Sequence, residues 1–392
     1  MTSTLYKTIA KPDLGINSNA PPYAIQHREW LTMTQMRVRR GIIENFPGWK
    51  TILASGSVGG FVSLLAQYSL FDGTHFLIAG GPNRVYRYNA ITKVLTDIAG
   101  VDLPVTMDEP WCAFSYLNNF YIISRTNGLY KYTGSGTLTK VSSGPKARWA
   151  SVLNDHICVL NTDTDRQKFQ WSAEGTDSTW AESANNDAGA FSLVDTPDQG
   201  VALYPLANDL VVYKERTIVP VTFIGGNEVF GRRQAVKGIG LVGQYALANI
   251  GQNRDKHIGM GPYTFFLYDG GTFADDSVGD KVRAAVYDSL HSVYRNRSRA
   301  VFIEQTDEVL FFYPDTTSTG NLNKCVIYNV KDGVWYGPFS VTTTMAGFMQ
   351  NNLTQVIDDI ADIIDTVSAI IDANTYVVTG ISTVFGTPAG DI

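Results

Sequence analysis

Charge, cysteine and long apolar runs are what this 392-residue chain has least of. Charged residues make up 17% of it, against about a quarter in an ordinary soluble domain. A chain with so few charges must bury much of its surface, internally or against neighbours. The formal net charge is -6, so no strong attraction for nucleic acid or anionic lipid is encoded. Only three cysteines occur, Cys112, Cys158 and Cys325. They are widely spaced and odd in number, which argues against a disulfide framework and fits assembly in a reducing cytoplasm. The opening MTSTLYKTIAKPDLG has no signal-peptide apolar core. No apolar run reaches the roughly 20 residues needed to span a bilayer, so membrane insertion by this chain is not expected.

What the chain has in quantity is aromatics and glycine: 20 Tyr, 19 Phe, 7 Trp and 36 Gly. That mixture suits short strands and tight turns better than helical bundles. Residues 1–50 carry Pro12, Pro21, Pro22 and Pro47. These break helices and favour extended backbone, so this part is expected to be an extended arm with one or two strands.

From residue 51 the pattern repeats. FVSLLAQY, THFLIAGG, RVYRYNA and VLTDIAG form one group of four strand-like runs. WCAFSYLN, FYIISRTN, LYKYTGSG and LTKVSSG form a second. ASVLND, HICVLNT and KFQWSAE begin a third, and VALYPLAND, LVVYKER, TIVPVTF and GNEVFGRRQ begin a fourth. YALANIG, KHIGMG, TFFLYDGG and FADDSVG make a fifth; RAVFIEQT, EVLFFYP, KCVIYNV and GVWYGPF a sixth. Tyr86, Tyr130, Tyr268 and Tyr328 fall late in their units. Four short antiparallel strands every ~40 to 50 residues is a propeller pattern. The expected fold is all-β: a β-propeller of about six blades over 51–349, with a C-terminal extension at 350–392.

That extension opens with Ile/Asp heptads. Leu353, Val356, Ile357, Ile360, Ile363, Ile364, Val367, Ile370 and Ile371 share one face at helical spacing, with Asp358, Asp362 and Asp365 outside. Two readings stand: an amphipathic helix, or a loop of Ile-Asp turns packed on a neighbour. The following TYVVTGISTVFGTPAGDI reads as strand, turn, strand. The polypeptide is expected to continue past Ile392.

Chemical motifs are few. GIGLVG, Gly238–Gly243, matches G-x-G-x-x-G but lacks the preceding apolar strand and following helix of a dinucleotide site. It reads as a flexible crossing between blades. His27, His75, His156, His257 and His291 form no metal-binding pattern, and Asp155 beside His156 reads as a turn. Arg37, Arg39 and Arg40 read as a solvated strand face. KFQWSAEGTDSTW, residues 168–180, resembles an Asp-box loop of sialidase propellers. Glu174 stands in the Asp place, however, and Gly175 comes one residue early. It is better read as a hairpin turned by Gly175 and Asp177, with Trp171 and Trp180 packed at its base. Trp335 is expected to be buried with them. No catalytic, cofactor-binding or metal-ligating residue is assigned, no cofactor is expected, and the chain is not expected to be an enzyme.

Taken in order, several segments resemble the propeller-type tail nozzle or hub proteins of short-tailed bacteriophages, the tail tubular protein B type. They are PDLGINSNAPPYAIQHREWLTMTQMRVRRGIIENFPGW, FQWSAEGTDSTW with its trailing AGAFSL, ALYPLANDLVVYKERTIVPVTF, KGIGLVG, FFLYDGGTFADDSVGDKVRAAVYDSL and CVIYNVKDGVWYGPF. In that family the place of the Ile/Asp heptads often carries Trp-Asp repeats. The resemblance implies a virion structural protein, assembled in the bacterial host cytoplasm. It further implies a self-associating ring of six subunits that joins a tail adaptor protein to fibre or needle proteins. Genomic DNA would cross its lumen without sequence-specific binding. The alternative carried by the sequence is a glycan-binding or glycoside-hydrolysing propeller.

Overall fold

A computed structural model describes residues 13–39, 42–45, 50–90, 92–226, 228–251, 255–354 and 377–392. The protein is 45% strand and 3% helix, with six small antiparallel sheets arranged as a six-blade β-propeller. The blades follow one another along the chain. The first comprises Leu64–Ser69, His75–Gly80, Val85–Asn89 and Val94–Asp97; the second Cys112–Tyr116, Asn119–Ser124, Gly128–Tyr132 and Thr139–Lys140. The third comprises Ala147–Leu153, His156–Thr162, Lys168–Trp171 and Gly189–Ser192. Gly200–Leu206, Asp209–Lys214, Thr217–Phe223, Phe230–Arg232 and Val236–Lys237 make the fourth. The fifth has Leu247–Ile250, Lys256–Met260 and Phe265–Tyr268; the sixth Arg299–Ile303, Glu308–Tyr313, Leu322–Asn329 and Val334–Thr343.

Turn chemistry sets these boundaries. In blades two and three the first hairpin closes through two residues, Leu117–Asn118 and Asn154–Asp155, all at positive φ. Such left-handed pairs match the strand twist and fix register. The second strand of a blade is covered on both faces. His156–Thr162 and Glu308–Tyr313 are buried along their whole length. Their sequences therefore read as continuous apolar runs rather than as an alternation.

One expected strand is absent. FADDSVG does not complete blade five, which has three strands. It makes one bridge, Leu267 to Asp275, and then turns into a 3-10 turn, Ser277–Gly279, and a short helix, Arg283–Tyr287. Asp275 Oδ1 accepts bonds from the Ser277 amide at 2.9 Å and its hydroxyl at 2.7 Å. That local pairing competes with strand backbone, as acidic and hydroxyl residues do. Conversely, Gly189–Ser192 supplies blade three with the fourth strand that its repeat pattern left open.

The chain divides into two compact units. One holds the N-terminal arm, Asp165–Phe169 and Ala190–Thr343, and with them blades four to six. Its arm carries a short hairpin, Met36–Arg39 with Ile42–Asn45. It is tied by backbone bonds: the Ile16 amide donates to Trp335 O at 2.9 Å and the Ser18 amide to Lys281 O at 2.8 Å. Gly15 sits at φ +71, where a Cβ would run into the Trp335 carbonyl oxygen, so both the conformation and the space require glycine.

The other unit holds Lys50–Thr164, Gln170–Gly189 and Thr344–Ile392. Here Met345–Thr354 pairs with Val377–Gly386 over ten residues each. Gly347 and Gly386 let this hairpin lie against Leu65 and Val62 of the first blade's edge. The Val62 amide donates to Thr344 Oγ1 at 3.2 Å, and Ile52 to Ile392 O at 2.9 Å. The expected strand-turn-strand at the end is thus one long strand followed by a turn. Leu353 and Thr354 lie in the hairpin's first strand; the rest of the Ile/Asp segment, 355–376, lies outside the described residues.

Candidate functional site

The residues singled out by sequence serve the scaffold, each in its own place. Trp171, Trp180 and Trp335 are buried, as expected. Trp171 Nε1 donates to Asp187 O and Trp180 Nε1 to Asp177 O, both at 2.7 Å. Ser172 Oγ accepts from the Ile157 amide at 3.0 Å, and the Gly175 amide donates to Asp155 O at 2.9 Å. Asp177 reaches the second blade, where Tyr121 donates at 2.8 Å and Lys131 at 3.0 Å. Burial alone would raise its pKa, but the bonds from Tyr121 and Lys131 hold it below the usual carboxylate value. Tyr121, buried and facing that carboxylate, is pushed far above an ordinary phenol. The Asp-box-like stretch is therefore a loop fastened to its neighbours.

The glycines of GIGLVG make close backbone approaches. A Cβ at Gly240 would meet the 214–216 backbone, and one at Gly243 the Asn296 carbonyl. The Leu241 amide donates to Lys214 O and Val242 to Met260 O, each at 3.0 Å. This segment is a packed crossing, held by those bonds and by the Gly238 amide on Arg216 O at 3.0 Å. The basic run also departs from expectation. Arg37 is not solvated: it is buried, with Nη1 2.6 Å from Glu308 and Nε 2.7 Å from Glu44. A strand register that turns its face onto blade six explains this. Nothing is described of the Arg39 side chain or of Arg40.

The histidines scatter. His156 is buried with Nδ1 2.8 Å from Ser172 O, and Asp155 stands in a turn. His257 is buried between Tyr213 OH, 2.8 Å from Nδ1, and Pro205 O, 3.0 Å from Nε2. Burial pulls its pKa down to about 4, only partly opposed by the Pro205 bond. His27 is exposed, and His291 stacks on Tyr294 at 4.4 Å. Among the described residues no group of three or more His, Cys, Asp or Glu is placed to hold a metal, and no helix is long and apolar enough to cross a membrane. The three cysteines are unpaired and buried. Burial raises their thiols, that of Cys112 to about 12.

Among the concavities in the unit of blades four to six, two are lined by arginine pairs. The larger, about 810 Å³, runs along the outer edge of blade four. Its two arginines face acids: Arg232 lies 2.8 Å from Asp195, and Arg233 pairs with Asp209; Lys237 also lines it and is exposed. The exposed ring of Phe273 forms its far wall.

The smaller, about 290 Å³, is bounded by Tyr263, Arg283, Tyr287, Asp288, Ser292 and Arg295. Helix Arg283–Tyr287 is anchored through buried Val282 and Val286. Its Tyr287 hydroxyl donates to Gly261 O at 3.0 Å, and the ring meets Phe265 edge-on at 5.6 Å. Arg283, one turn before Tyr287, shares that side of the helix. Arg295 opens a 3-10 turn closed by Ser298 Oγ on Arg295 O at 2.8 Å. Tyr263 is steadied by Arg216, whose Nη2 lies 3.3 Å from its hydroxyl and whose guanidinium lies 6.0 Å from its ring centre. Sequence reasoning passed over this place. Its signal is the alternation Arg295, Arg297, Arg299 in an acidic chain. Arg297 stacks on Tyr294 and donates to Gly320 O, and Arg299 is buried over Tyr245. Arg295 alone of the three lines the pocket.

Compared with models of known protein families and with curated proteins, the chain matches none.

Proposed function

We propose that this protein is a structural subunit of a short-tailed phage tail: a nozzle or hub protein that forms a ring, joins the adaptor to the distal fibres or needle, and conducts DNA during ejection. One observation carries the reading. The motifs whose order resembles that family coincide with joints of the scaffold. Gly15 and Ile16 seat the arm on Trp335. Trp171 and Trp180 fasten the 172–189 loop. Gly240 and Gly243 bring backbones together. A chain whose conspicuous residues are spent on architecture suits a structural part rather than an enzyme. The low charge supports broad subunit interfaces, and the net charge of -6 suits a conduit along which DNA slides. The ring of six, the virion location and the tail partners belong to the same proposal.

Electron microscopy of the purified assembly tests it: closed six-fold rings are expected, and a monomer within purified virions overturns it. On the same reading, a panel of fluorogenic glycosides gives no turnover. Hydrolysis that is lost in Glu174→Gln moves the chain to the sugar-cleaving alternative.

A further inference from the structure

Among the described residues, neither Arg283 nor Arg295 forms an ion pair, and both border one small concavity. Arg295 is half-buried there. In a chain of net charge -6, two guanidiniums bordering a common space, neither in an ion pair among the described residues, make a local excess of positive charge. Asp288 lines the same pocket but balances at most one of them. The other walls are an aromatic face, Tyr263, pinned by Arg216, and the hydroxyl of Ser292. Planar guanidiniums match carboxylates with two parallel bonds. A lone carboxylate and a hydroxyl match the hydroxyls of a polyol, since an ionised carboxylate only accepts and a hydroxyl does both. A partly exposed tyrosine supplies a flat apolar surface for a ring. At about 290 Å³ the pocket lies at the small end of ligand sites, which begin at roughly 300 Å³. That scale suits a single sugar ring.

We propose that the pocket between Tyr263, Arg283 and Arg295 binds a single carboxylated sugar residue of a surface polysaccharide. The carboxylate is held by Arg283 and Arg295, the ring lies on Tyr263, and the hydroxyls meet Asp288 and Ser292. The larger cleft at blade four makes a weaker case, because Arg232 and Arg233 are paired with Asp195 and Asp209, which leaves the single ammonium of Lys237 and no guanidinium pair to grip a carboxylate with parallel bonds. The site is independent of the nozzle reading: a ring subunit with this pocket would touch a host or capsule glycan, and a monomeric propeller would do the same.

The test uses the full chain and saturation-transfer NMR with titration. The probes are galacturonate, its uncharged methyl ester, and inorganic phosphate. Galacturonate is expected to bind in the millimolar range, with transfer to its ring protons, and the ester at least tenfold more weakly. Arg283→Ala and Arg295→Ala each lower galacturonate affinity at least tenfold, and Tyr263→Leu reduces the ring-proton transfer. Arg283 is exposed, so its variant is expected to melt with the parent and still report if Arg295→Ala does not fold. Arg232→Ala at the other cleft changes nothing. Equal binding of acid and ester, phosphate binding without the sugar acid, or unchanged affinity in Arg283→Ala overturns the proposal.

Discussion

His257 shows how one residue ties burial to pH. Its neutral ring accepts from Tyr213 and donates to Pro205, and its folded pKa falls from an ordinary 6.5 to about 4. The folded state therefore resists a proton that the unfolded chain takes up below pH 6.5. The stability difference is absent above that pH and grows as pH falls toward 4, reaching on the order of 3 kcal/mol at about 1.4 kcal/mol per unit. Urea unfolding of the parent and His257→Gln at pH 7.5 and 4.5 checks this: the parent should lose more stability between the two than the variant. The aspartates Asp177 and Asp198, held below 3.8, lose their contributions only at lower pH, so the two effects separate. Trp335 gives a second residue-scale prediction. It is buried among Phe265, Phe311 and Tyr328, with Nε1 donating to Val278 O at 2.7 Å. Trp335→Ala is expected to cost about 3 to 5 kcal/mol, read from the urea midpoint. At this scale the sequence was legible where a residue's type forces its place. Tryptophan beside turn residues goes inside. It was not legible where the partner is distant. The acid that buries Arg37 lies 271 residues away.

Elements were read well where turns punctuate them. The Asn, Asp and Gly turns marked blades one, two and six strand by strand and four of the five strands of blade four, because a two-residue reversal leaves little freedom in register. The reading failed at FADDSVG, where Asp275 bonds its own neighbours, and at the missing fourth strand of blade three. That strand, GAFS, is too short and too mixed to show a period. The Arg283–Arg295 pocket was hidden for a different reason: its residues lie outside the runs assigned to blades five and six, where no element was expected. The N-terminal hairpin makes a prediction at this scale. Arg37 is 8% and Glu308 1% exposed, so their attraction is little screened. Arg37→Leu deprives Glu308 of this partner and is expected to cost about 3 kcal/mol or more. Arg37→Leu with Glu308→Leu should recover a large part, because the buried carboxylate of Glu308 is removed along with its partner, and Glu44, which also loses Arg37, is partly exposed to solvent. Thermal melts of the two single variants and the double variant complete the cycle; equal losses in single and double variants would show that the pair is not what holds the hairpin.

For the whole molecule, the open question is whether assembly depends on the residues between the two long terminal strands. In the register of this hairpin Thr354 faces Val377, so the chain leaves and re-enters at neighbouring positions. A two-residue Asn-Gly turn joining Thr354 directly to Val377 would therefore close the hairpin without changing its register. This is a cleaner cut than removing 350–392, which would also strip Gly386 from Val62 and the Ile392 carbonyl from the Ile52 amide. With residues 355–376 replaced in this way, blades one to six keep their cores. Circular dichroism and the melting temperature should then match the parent within a few degrees. The segment removed carries Asp358, Asp359, Asp362, Asp365 and Asp372 among its isoleucines and no Lys or Arg. Apolar residues at that density need cover, and in a cyclic head-to-tail interface one patch on each subunit covers another on the next. On the proposed nozzle reading we therefore expect the shortened chain to fold and to fail at ring formation, running as a monomer in light scattering where the parent is expected to run as a closed oligomer. A shortened chain that still forms rings would place the subunit interface on the blades and leave the Ile/Asp segment for contact with another protein. One that unfolds would instead assign the segment to the core of its own subunit.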